Sequence, residues 1–236
     1  MSPPTKALVI MAKAPHPGRV KLRLAPVFGA QAAADLARAF LFDRIEAAGA
    51  IADAVRIVSC EPDRTDPAFA ELRHMGGLVL TSQRGADLGA RMRGALQEAL
   101  ALGFQRVVLV GTDTPTLPVE ILLQAFDRLT DVPVVIGPAC DGGYYLIGCG
   151  REIPPVFESL PWGSDRVLEQ TLARLNAERW PAALLPFWYD VDRPEDVLLL
   201  RRHLQSMQLG GGRSIAPRTA ELLARIAPEL RDAAWA

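Results

Sequence analysis

Short apolar runs alternate with longer amphipathic stretches along the chain, which predicts strands followed by helices. Ala7–Met11 and Arg106–Val110 are nearly continuous apolar runs, as expected for strands buried on both faces. Leu88–Leu102 repeats apolar residues at helical spacing, and Gly103 follows where that helix would end. The predicted strands are Ala7–Met11, Ala54–Cys60, Leu78–Thr81, Arg106–Val110, Val132–Gly137, Tyr144–Gly148 and Leu184–Tyr189. The predicted helices are Gln31–Ala48, Leu88–Leu102, Pro118–Leu129, Asp165–Asn176, Pro194–Gln205 and Thr219–Ile226.

This alternation predicts an α/β protein built as a three-layer α/β/α sandwich around a mostly parallel sheet. Ligands of such sheets bind at the carboxyl ends of the strands, so the segments that follow strands are the candidates for chemistry. Residues 1–207 are expected to form a single domain. Gly210–Gly212 reads as a linker, and residues 208–236 are expected to add this linker and a short helix packed on the outside.

Composition and charge exclude several classes of protein. The 236 residues carry 26 Lys plus Arg against 27 Asp plus Glu, a balance that argues against a general nucleic-acid binder. Three cysteines without a CxxC pair predict neither a disulfide framework nor a four-cysteine zinc site, and they suggest a reducing compartment. No apolar run reaches the roughly 20 residues of a membrane helix. We therefore expect a cytoplasmic protein without a signal peptide or a membrane span.

A basic loop follows the first predicted strand. Lys13, Arg19, Lys21 and Arg23 lie in a segment shaped by two prolines and a glycine. Arginine can grip phosphate with two hydrogen bonds and lysine acts on it as a point charge, so the loop suits an anionic ligand. The alternative is a solvated basic surface, because the segment contains neither a Walker A nor a GxGxxG motif.

Carboxylates follow two other predicted strands. Asp113 comes directly after an apolar strand, where it could hold Mg²⁺ or Mn²⁺ near a diphosphate, although a turn or cap before Pro115 is the alternative. Asp192 with Glu195 three residues later is typical of a helix N-cap. Because Asp190 and Asp192 alternate at a strand end, one of them could be a second metal ligand while the other caps.

Two glycine-containing segments are further candidates. The loop with Gln83, Gly85 and Asp87 leads into a helix, and its free N–H groups could meet a base, a ribose or a phosphate. The alternative is a glycine loop capped by Asp87. The Asp141–Gly143 segment lies between two strands and reads first as a hairpin turn, although paired glycines also allow close approach of a ligand.

Six motifs occur together over residues 6–205 and carry a resemblance to a known family. They are AKAPHPGRVKLRLAP (12–26), QRGADLGARM (83–92), GTDTPTLP (111–118), GPACDGGYYLIG (137–148), PWGSDRVLEQT (161–171) and DVDRPEDV (190–197). The sequence resembles a bacterial family provisionally assigned as GT-A-fold glycosyltransferases, which is related to MobA-like nucleotidyltransferases. Some of its members are described as arsenosugar-biosynthesis or radical-SAM-associated transferases. The resemblance implies the nucleotide-diphospho-sugar transferase (GT-A) type of sandwich.

The resemblance also implies roles for individual residues. Arg19, Lys21 and Arg23 would hold the nucleotide phosphates, and Gln83, Gly85 and Asp87 would border the base and ribose. Asp113 and Asp192 would bind the metal, and Asp141, Gly142 and Gly143 would face the sugar or the acceptor. Lys13 and Trp162 complete the predicted substrate site, with Asp141 and Lys21 as catalytic residues and Asp141 as the base. Two positions depart from the family pattern: Leu22 replaces a threonine, and Gly163-Ser164 replaces the usual Ser-Thr after Trp162.

The function predicted from these features is a transferase that moves a sugar from a nucleotide-diphosphate donor to a small-molecule acceptor with Mg²⁺ or Mn²⁺. The alternative enzyme is a guanylyltransferase-like nucleotidyltransferase that uses a nucleoside triphosphate and releases pyrophosphate. A third alternative is a non-catalytic nucleotide-binding protein. The expected partners are small molecules, with no nucleic acid, and a homodimer is compatible with the sequence.

Overall fold

The computed structural model describes residues 4–212 and 215–226, and within these ranges seven strands form one sheet between helices. The strands are β1 (Lys6–Lys13), β2 (Ala54–Glu61), β3 (Leu78–Ser82), β4 (Arg106–Val110), β5 (Val134–Pro138), β6 (Tyr144–Cys149) and β7 (Ala182–Leu184). The helices are α1 (Ala25–Phe28), α2 (Ala30–Ala48), α3 (Leu88–Ala101), α4 (Val119–Arg128), α5 (Val167–Ala177), α6 (Pro194–Leu209) and α7 (Pro217–Ile226). Two short 3₁₀ turns, Pro67–Phe69 and Glu71–His74, precede β3.

The order of the strands places a crevice between β1 and β4. The sheet runs β3-β2-β1-β4-β6-β5-β7, and β6 is antiparallel to β4 and β5 while the remaining pairs are parallel. From β1 the chain adds β2 and β3 on one side and then returns to add β4 on the other. The connections therefore diverge above β1 and β4, which is where open α/β sheets bind ligands.

Apolar residues of successive positions in β1 enter two different cores. Leu8 and Ile10 join a cluster with α2 and α4, whereas Ala7 and Val9 join a cluster with α3 and α5 on the opposite face. This alternation is the period of two of an extended strand. Helices therefore cover both faces of the sheet, and the predicted three-layer α/β/α sandwich is confirmed.

A third apolar cluster joins α1, α2, α6 and α7 beside the sheet. Helix α7 is fixed there by Asp43 of α2, a fully buried carboxylate. Asp43 accepts hydrogen bonds from Arg218 N (3.1 Å), Thr219 N (2.9 Å) and Thr219 Oγ1 (2.7 Å). The division of the chain at residue 207 stays a prediction, and residues 213, 214 and 227–236 of the predicted C-terminal unit lie outside the described ranges.

The last strand is shorter than the apolar pattern predicts. Strand β7 spans Ala182–Leu184, so the predicted strand Leu184–Tyr189 is wrong. Pro186 interrupts the ladder because proline has no N–H group to donate. Beyond β7 the pairing is discontinuous: Leu185 N donates to Ile136 O (2.9 Å), and an isolated bridge joins Trp188 to Ala139 through bonds to Pro138 O (3.1 Å) and from Cys140 N (3.0 Å). None of the helices in the described ranges is both long and apolar enough to span a membrane.

Candidate functional site

A cavity of about 630 Å³ opens at the carboxyl ends of β1 and β4. The segments after β1, β3, β4 and β7 meet in its wall, together with the β5–β6 connection and residues 162–164. Most of the residues singled out in the sequence line this cavity, namely Lys13, Arg19, Lys21, Arg23, Gln83, Asp113, Asp141, Gly143, Trp162 and Asp192. Gly85, Asp87 and Gly142 are not part of its wall.

The basic loop after β1 is a compact series of turns that presents cations to the cavity. Gly18 has φ +73°, a conformation that favours glycine, and the buried side chains of Val20 and Leu24 anchor the loop. His16 Nε2 contacts Asp66 Oδ1 at 2.9 Å and ties the loop to the segment after β2. Arg19 and Arg23 are exposed, and neither forms an ion pair or a side-chain hydrogen bond within the described ranges. Two guanidinium groups are thus available to an anion in the cavity.

Lys21 differs from the other cations of the loop because it is buried and bonded to three protein oxygens. Its Nζ lies 2.6 Å from Asp113 Oδ1 and 2.8 Å from Asp192 Oδ1, and it donates to Val191 O at 2.7 Å. The side chain is only 6% exposed. Burial disfavours the charge, but the two carboxylates outweigh it and raise the pKa of Lys21. The two predicted metal ligands, which are 79 positions apart, are therefore joined through one ammonium.

Negative charge accumulates next to this ion pair. Asp141 and Asp190 line the same cavity as Asp113 and Asp192. Burial raises the pKa of Asp190 to about 8, and repulsion from Asp141, Asp113 and Asp192 adds to the effect. The raised pKa favours the neutral form of Asp190, so the negative charge on this side of the cavity comes from Asp113, Asp141 and Asp192, against the single ammonium of Lys21.

The predicted N-cap formed by Asp192 and Glu195 is wrong. Asp196 Oδ2 instead accepts from the backbone N–H groups of Asp192 (2.9 Å) and Arg193 (2.8 Å) at the start of α6. Pro194 is the first residue of the helix, so the capping acid lies one residue later than the sequence pattern suggests. This leaves the Asp192 carboxylate free of capping and turned to Lys21.

The Asp141–Gly143 segment is the hairpin that connects β5 and β6, as the spacing favours. Asp141 Oδ1 accepts from Gly143 N at 2.9 Å. Gly142 has φ +89°, and a Cβ there would lie 2.1 Å from Asp165 O. Leu168 N also donates to Gly142 O at 2.9 Å. The positive φ and the missing side chain of Gly142 therefore allow the hairpin to pack closely against the backbone around Asp165, before α5.

The glycine loop before α3 is mainly structural. Asp87 accepts from Ala90 N at 2.8 Å, so the helix-cap interpretation is confirmed. A Cβ on Gly85 would lie 2.7 Å from the side chain of Ala90. Gln83 does reach the cavity, but its Nε2 donates to Ala12 O (3.2 Å) and Ser59 O (2.8 Å). Only its carbonyl oxygen remains for a ligand.

Two supporting contacts are not evident from the sequence. Arg44 of α2 is fully buried, and it donates to the carbonyl oxygens of Thr114 and Leu117 in the loop that carries Asp113. Glu61 lines the cavity and pairs with Arg91 at 2.7 Å. From sequence alone, an arginine in an amphipathic helix such as Arg44 is expected on the surface. A glutamate at a strand end, such as Glu61, belongs to no recognisable motif. No local pattern could have found either contact.

The oxygen donors around Lys21 fit a divalent ion that shares its coordination with a ligand. Among the described residues no three or more His, Cys, Asp or Glu side chains form a metal-binding group. Asp113, Asp192 and the Val191 carbonyl nevertheless converge on one cation, the Lys21 ammonium. Mg²⁺ is commonly held by one or two carboxylates together with substrate phosphates and water. A pair of carboxylates is thus sufficient when a phosphate supplies the remaining oxygens.

Comparison with known sequences gives one family. A model of bacterial proteins described as "Uncharacterized protein conserved in bacteria (DUF2064)" matches residues 44–164, which is half of the chain. The match includes β2, β3, β4 and the β5–β6 hairpin, and it ends within the Pro161–Ser164 loop. No curated protein matches the chain.

Comparison with solved structures gives the same architecture. A protein from Desulfovibrio desulfuricans G20, provisionally named a nucleotide-diphospho-sugar transferase, is 33% identical with a TM-score of 0.83. The match covers 93% of this chain and 94% of that one. A 4-diphosphocytidyl-2C-methyl-D-erythritol synthase from Anaerococcus prevotii DSM 20548 is 13% identical with a TM-score of 0.56, covering 85% and 97%. A nucleotidyl transferase from Methanothermobacter is 14% identical with a TM-score of 0.56, covering 86% and 99%. The latter two share the fold alone.

Proposed function

The chain belongs to the bacterial DUF2064 family, and from that premise and its cavity we propose that it is a metal-dependent glycosyltransferase. It would move a sugar from a nucleotide-diphosphate donor to a small-molecule acceptor. The D. desulfuricans relative supports a nucleotide-sugar substrate through its name. The observation that carries the proposal is that one cavity is lined both by the cations Arg19 and Arg23 and by the carboxylates of Asp113 and Asp192.

The cations are proposed to bind the diphosphate. Arg19 and Arg23 have no protein acceptor within the described ranges, so their donors are available to phosphate oxygens. Lys13 is half-exposed and 4.0 Å from Glu61, which leaves it able to contribute charge. Asp113 and Asp192 would hold Mg²⁺ or Mn²⁺, and the bound ion would supply Lewis-acid neutralisation of charge on the departing diphosphate.

Asp141 is proposed as the base that takes the acceptor proton. Its Oδ1 is held by Gly143 N, and the residue is exposed at the cavity wall, so Oδ2 can face an acceptor hydroxyl. Trp162 would border the transferred sugar. A Cβ on Gly89 would lie 2.5 Å from Trp162 Nε1. Glycine at this position therefore lets the indole pack directly against α3. Gln83 would offer its free carbonyl oxygen to an N–H group of the base.

Nucleotidyl transfer is the second candidate, because the loop carries more cations than a diphosphate needs. Lys13, Arg19 and Arg23 together could neutralise a triphosphate. The two reactions break different bonds. Glycosyl transfer breaks the bond between the sugar and the phosphate oxygen and releases a nucleoside diphosphate. Nucleotidyl transfer breaks the bond between the α-phosphorus and its bridging oxygen and releases pyrophosphate.

Mass spectrometry of products from the purified protein with Mn²⁺ distinguishes these reactions. One reaction contains pooled nucleotide sugars, and the other contains pooled nucleoside triphosphates with phosphorylated small-molecule acceptors. We expect a nucleoside diphosphate from the nucleotide sugars, by transfer or by slow hydrolysis. Pyrophosphate formed from triphosphates, with inert nucleotide sugars, would reject glycosyl transfer and favour the second candidate.

Asp113→Asn and Asp87→Asn form a matched pair for the same assay. Both variants remove one carboxylate while keeping the shape of the side chain. Asp113 lines the cavity, whereas Asp87 caps α3 outside it. We expect product formation to be lost in Asp113→Asn and kept in Asp87→Asn. Equal activities in the two variants would remove Asp113 from the site.

The finer kinship with radical-SAM-associated and arsenosugar-associated transferases, and with MobA-like nucleotidyltransferases, is also a proposal. It rests on the six motifs described above. A cytoplasmic location is proposed from the free cysteines Cys60, Cys140 and Cys149, which suit a reducing compartment.

A further inference from the structure

The Lys21 ammonium already fills the place that a divalent ion would take. Its Nζ contacts Asp113 Oδ1, Asp192 Oδ1 and Val191 O at 2.6, 2.8 and 2.7 Å. An ammonium has three N–H donors and no acceptor, so this arrangement uses all of them. Lys21 therefore has no donor left for a phosphate while it stays between the carboxylates.

A metal ion and the Lys21 ammonium cannot share these oxygens. Mg²⁺ requires oxygen ligands at about 2.0–2.1 Å, and an ion held by both carboxylates would overlap the position of Nζ. The repulsion between an ammonium and a doubly charged ion at such a distance adds to the steric conflict. Entry of the ion between Asp113 and Asp192 thus requires Lys21 to leave.

The same cavity could receive the displaced side chain. Lys21 lies between Arg19 and Arg23 in one loop, and all three residues line the wall. A ligand phosphate bound by the two arginines would offer Lys21 new acceptors in place of the carboxylates. The exchange also improves the charge balance, because two carboxylates face one positive charge from Lys21 and would face two from the ion.

We infer that this chain takes its nucleotide as the metal complex, with the ion replacing the Lys21 ammonium on Asp113 and Asp192 as that ammonium moves to the phosphate. The inference rests on the proposed use of a nucleotide-diphosphate ligand and adds the form in which the ligand binds. Ion and phosphate then bind cooperatively. The ion alone would displace Lys21 without giving it a phosphate to bind. The phosphate alone would leave Lys21 on the two carboxylates.

Calorimetry with Mn²⁺ alone tests the competition directly. Lys21→Met keeps an unbranched apolar stem and removes the competing charge. We expect this variant to bind Mn²⁺ more tightly than the wild type, within the roughly 5- to 150-fold range of a typical coupling between sites. Lys13→Met removes a cation of the same cavity that does not touch the carboxylate pair, and its Mn²⁺ affinity should stay near the wild-type value. Mn²⁺ binding by Lys21→Met that is equal to or weaker than wild type overturns the inference.

Lysine labelling of the wild-type protein gives a second test that does not depend on the folding of a variant. The sequence contains only three lysines, Lys6, Lys13 and Lys21, so acetylation can be followed at each by mass spectrometry. In chelator, Lys21 should react far more slowly than Lys13, because their side chains are 6% and 54% exposed. Mn²⁺ alone should accelerate labelling of Lys21, and Mn²⁺ with pyrophosphate should slow it again. A Lys21 rate that does not respond to millimolar Mn²⁺ overturns the inference.

Neither test requires turnover, so their outcome is separate from that of the transfer assay. A pyrophosphate product would reject glycosyl transfer and leave the exchange of Lys21 intact. Conversely, a nucleoside diphosphate product together with a Lys21 labelling rate that does not change with Mn²⁺ would support the proposed function and reject the exchange.

Discussion

Arg44 is a fully buried cation that donates to carbonyl oxygens of one loop. Burial lowers the pKa of its guanidinium to about 10. A buried charge is costly, so its position must be supported by the hydrogen bonds that it makes. Those bonds hold Thr114 and Leu117, on either side of the turn that follows Asp113. At the scale of single residues, Arg44 therefore supports the loop on this side of the cavity.

Arg44→Met should therefore destabilise the protein. The substitution leaves the buried carbonyl oxygen of Leu117 without its donor, at about 1–3 kcal/mol for an unpaired group, whereas Thr114 O keeps its bond from Leu117 N at 3.0 Å. Removal of the buried charge offsets part of the loss. We expect a net decrease of about 1–3 kcal/mol in the free energy of unfolding, measured with urea. Arg56→Met is the matched control, because within the described part of the chain the Arg56 side chain makes only long bonds of 3.4 Å to Ile45 O and Gly76 O. A control as destabilised as Arg44→Met would contradict this role.

Helix α6 shows how one element releases a residue for the site. Asp196 accepts from the N–H groups of both Asp192 and Arg193, so the first turn of α6 does not need the Asp192 carboxylate. Glu195, which the sequence pattern pairs with Asp192, is exposed. Asp196 thus caps the helix, and Asp192 forms the ion pair with Lys21.

Asp196→Ala and Glu195→Ala should differ in stability. Loss of a capping side chain typically costs about 0.5–2 kcal/mol, and Asp196→Ala should fall in that range. Glu195→Ala should stay within about 0.5 kcal/mol of wild type, as for most surface substitutions. Thermal unfolding of the two variants measures the difference. Greater destabilisation by Glu195→Ala would restore the cap predicted from the sequence.

Elements were predictable where the pattern of one segment decides its structure. The β-branched run Arg106–Val110 is strand β4 with the same bounds, because such a run is buried on both faces wherever it lies. The bounds of strand β7 were not predictable from the apolar run around Pro186. They depend on where pairing with the neighbouring strand stops, which the run itself does not show. The antiparallel direction of β6 follows from the tight Asp141–Gly143 turn, which the spacing favoured as a hairpin over a ligand-binding segment.

The convergence of the candidate residues on one cavity was predictable from the sequence, but their contacts were not. Parallel strands end at one edge of a sheet, so Asp113 and Asp192 could be expected to approach each other. Their pairing with Lys21 involves partners 171 positions apart in the case of Asp192. Such a contact depends on the packing of the whole chain, and no local spacing encodes it.

At the scale of the whole molecule, α7 supports the cavity from a distance. Its Leu222 and Leu223 belong to the same apolar cluster as Leu24, next to Arg23, and Val191, whose carbonyl accepts from Lys21. Asp43 holds the start of α7 through Thr219. The C-terminal helix is therefore part of the packing that fixes both sides of the Lys21 ion pair.

Thr219→Val should weaken this support without changing the shape of the side chain. The buried Asp43 carboxylate would lose its 2.7 Å bond from Thr219 Oγ1, and hydrogen bonds to charged groups contribute about 1.5–3 kcal/mol. We expect a loss of that size in the free energy of unfolding, measured with urea. Thr130→Val is the control, because Thr130 is exposed and its bonds to Asp127 O and Asp131 Oδ1 lie at the surface. Similar losses in the two variants would show that Asp43 does not depend on Thr219.

The contact between Gly142 and Asp165 has a consequence for how this family can diverge. A Cβ at position 142 would lie 2.1 Å from Asp165 O, and Leu168 N is bonded to the carbonyl of the same glycine. A homologue that acquires a side chain at 142 must therefore also reroute its chain around 165. The β5–β6 turn and the segment before α5 are therefore free to change only together, although 23 positions separate residues 142 and 165 in the sequence.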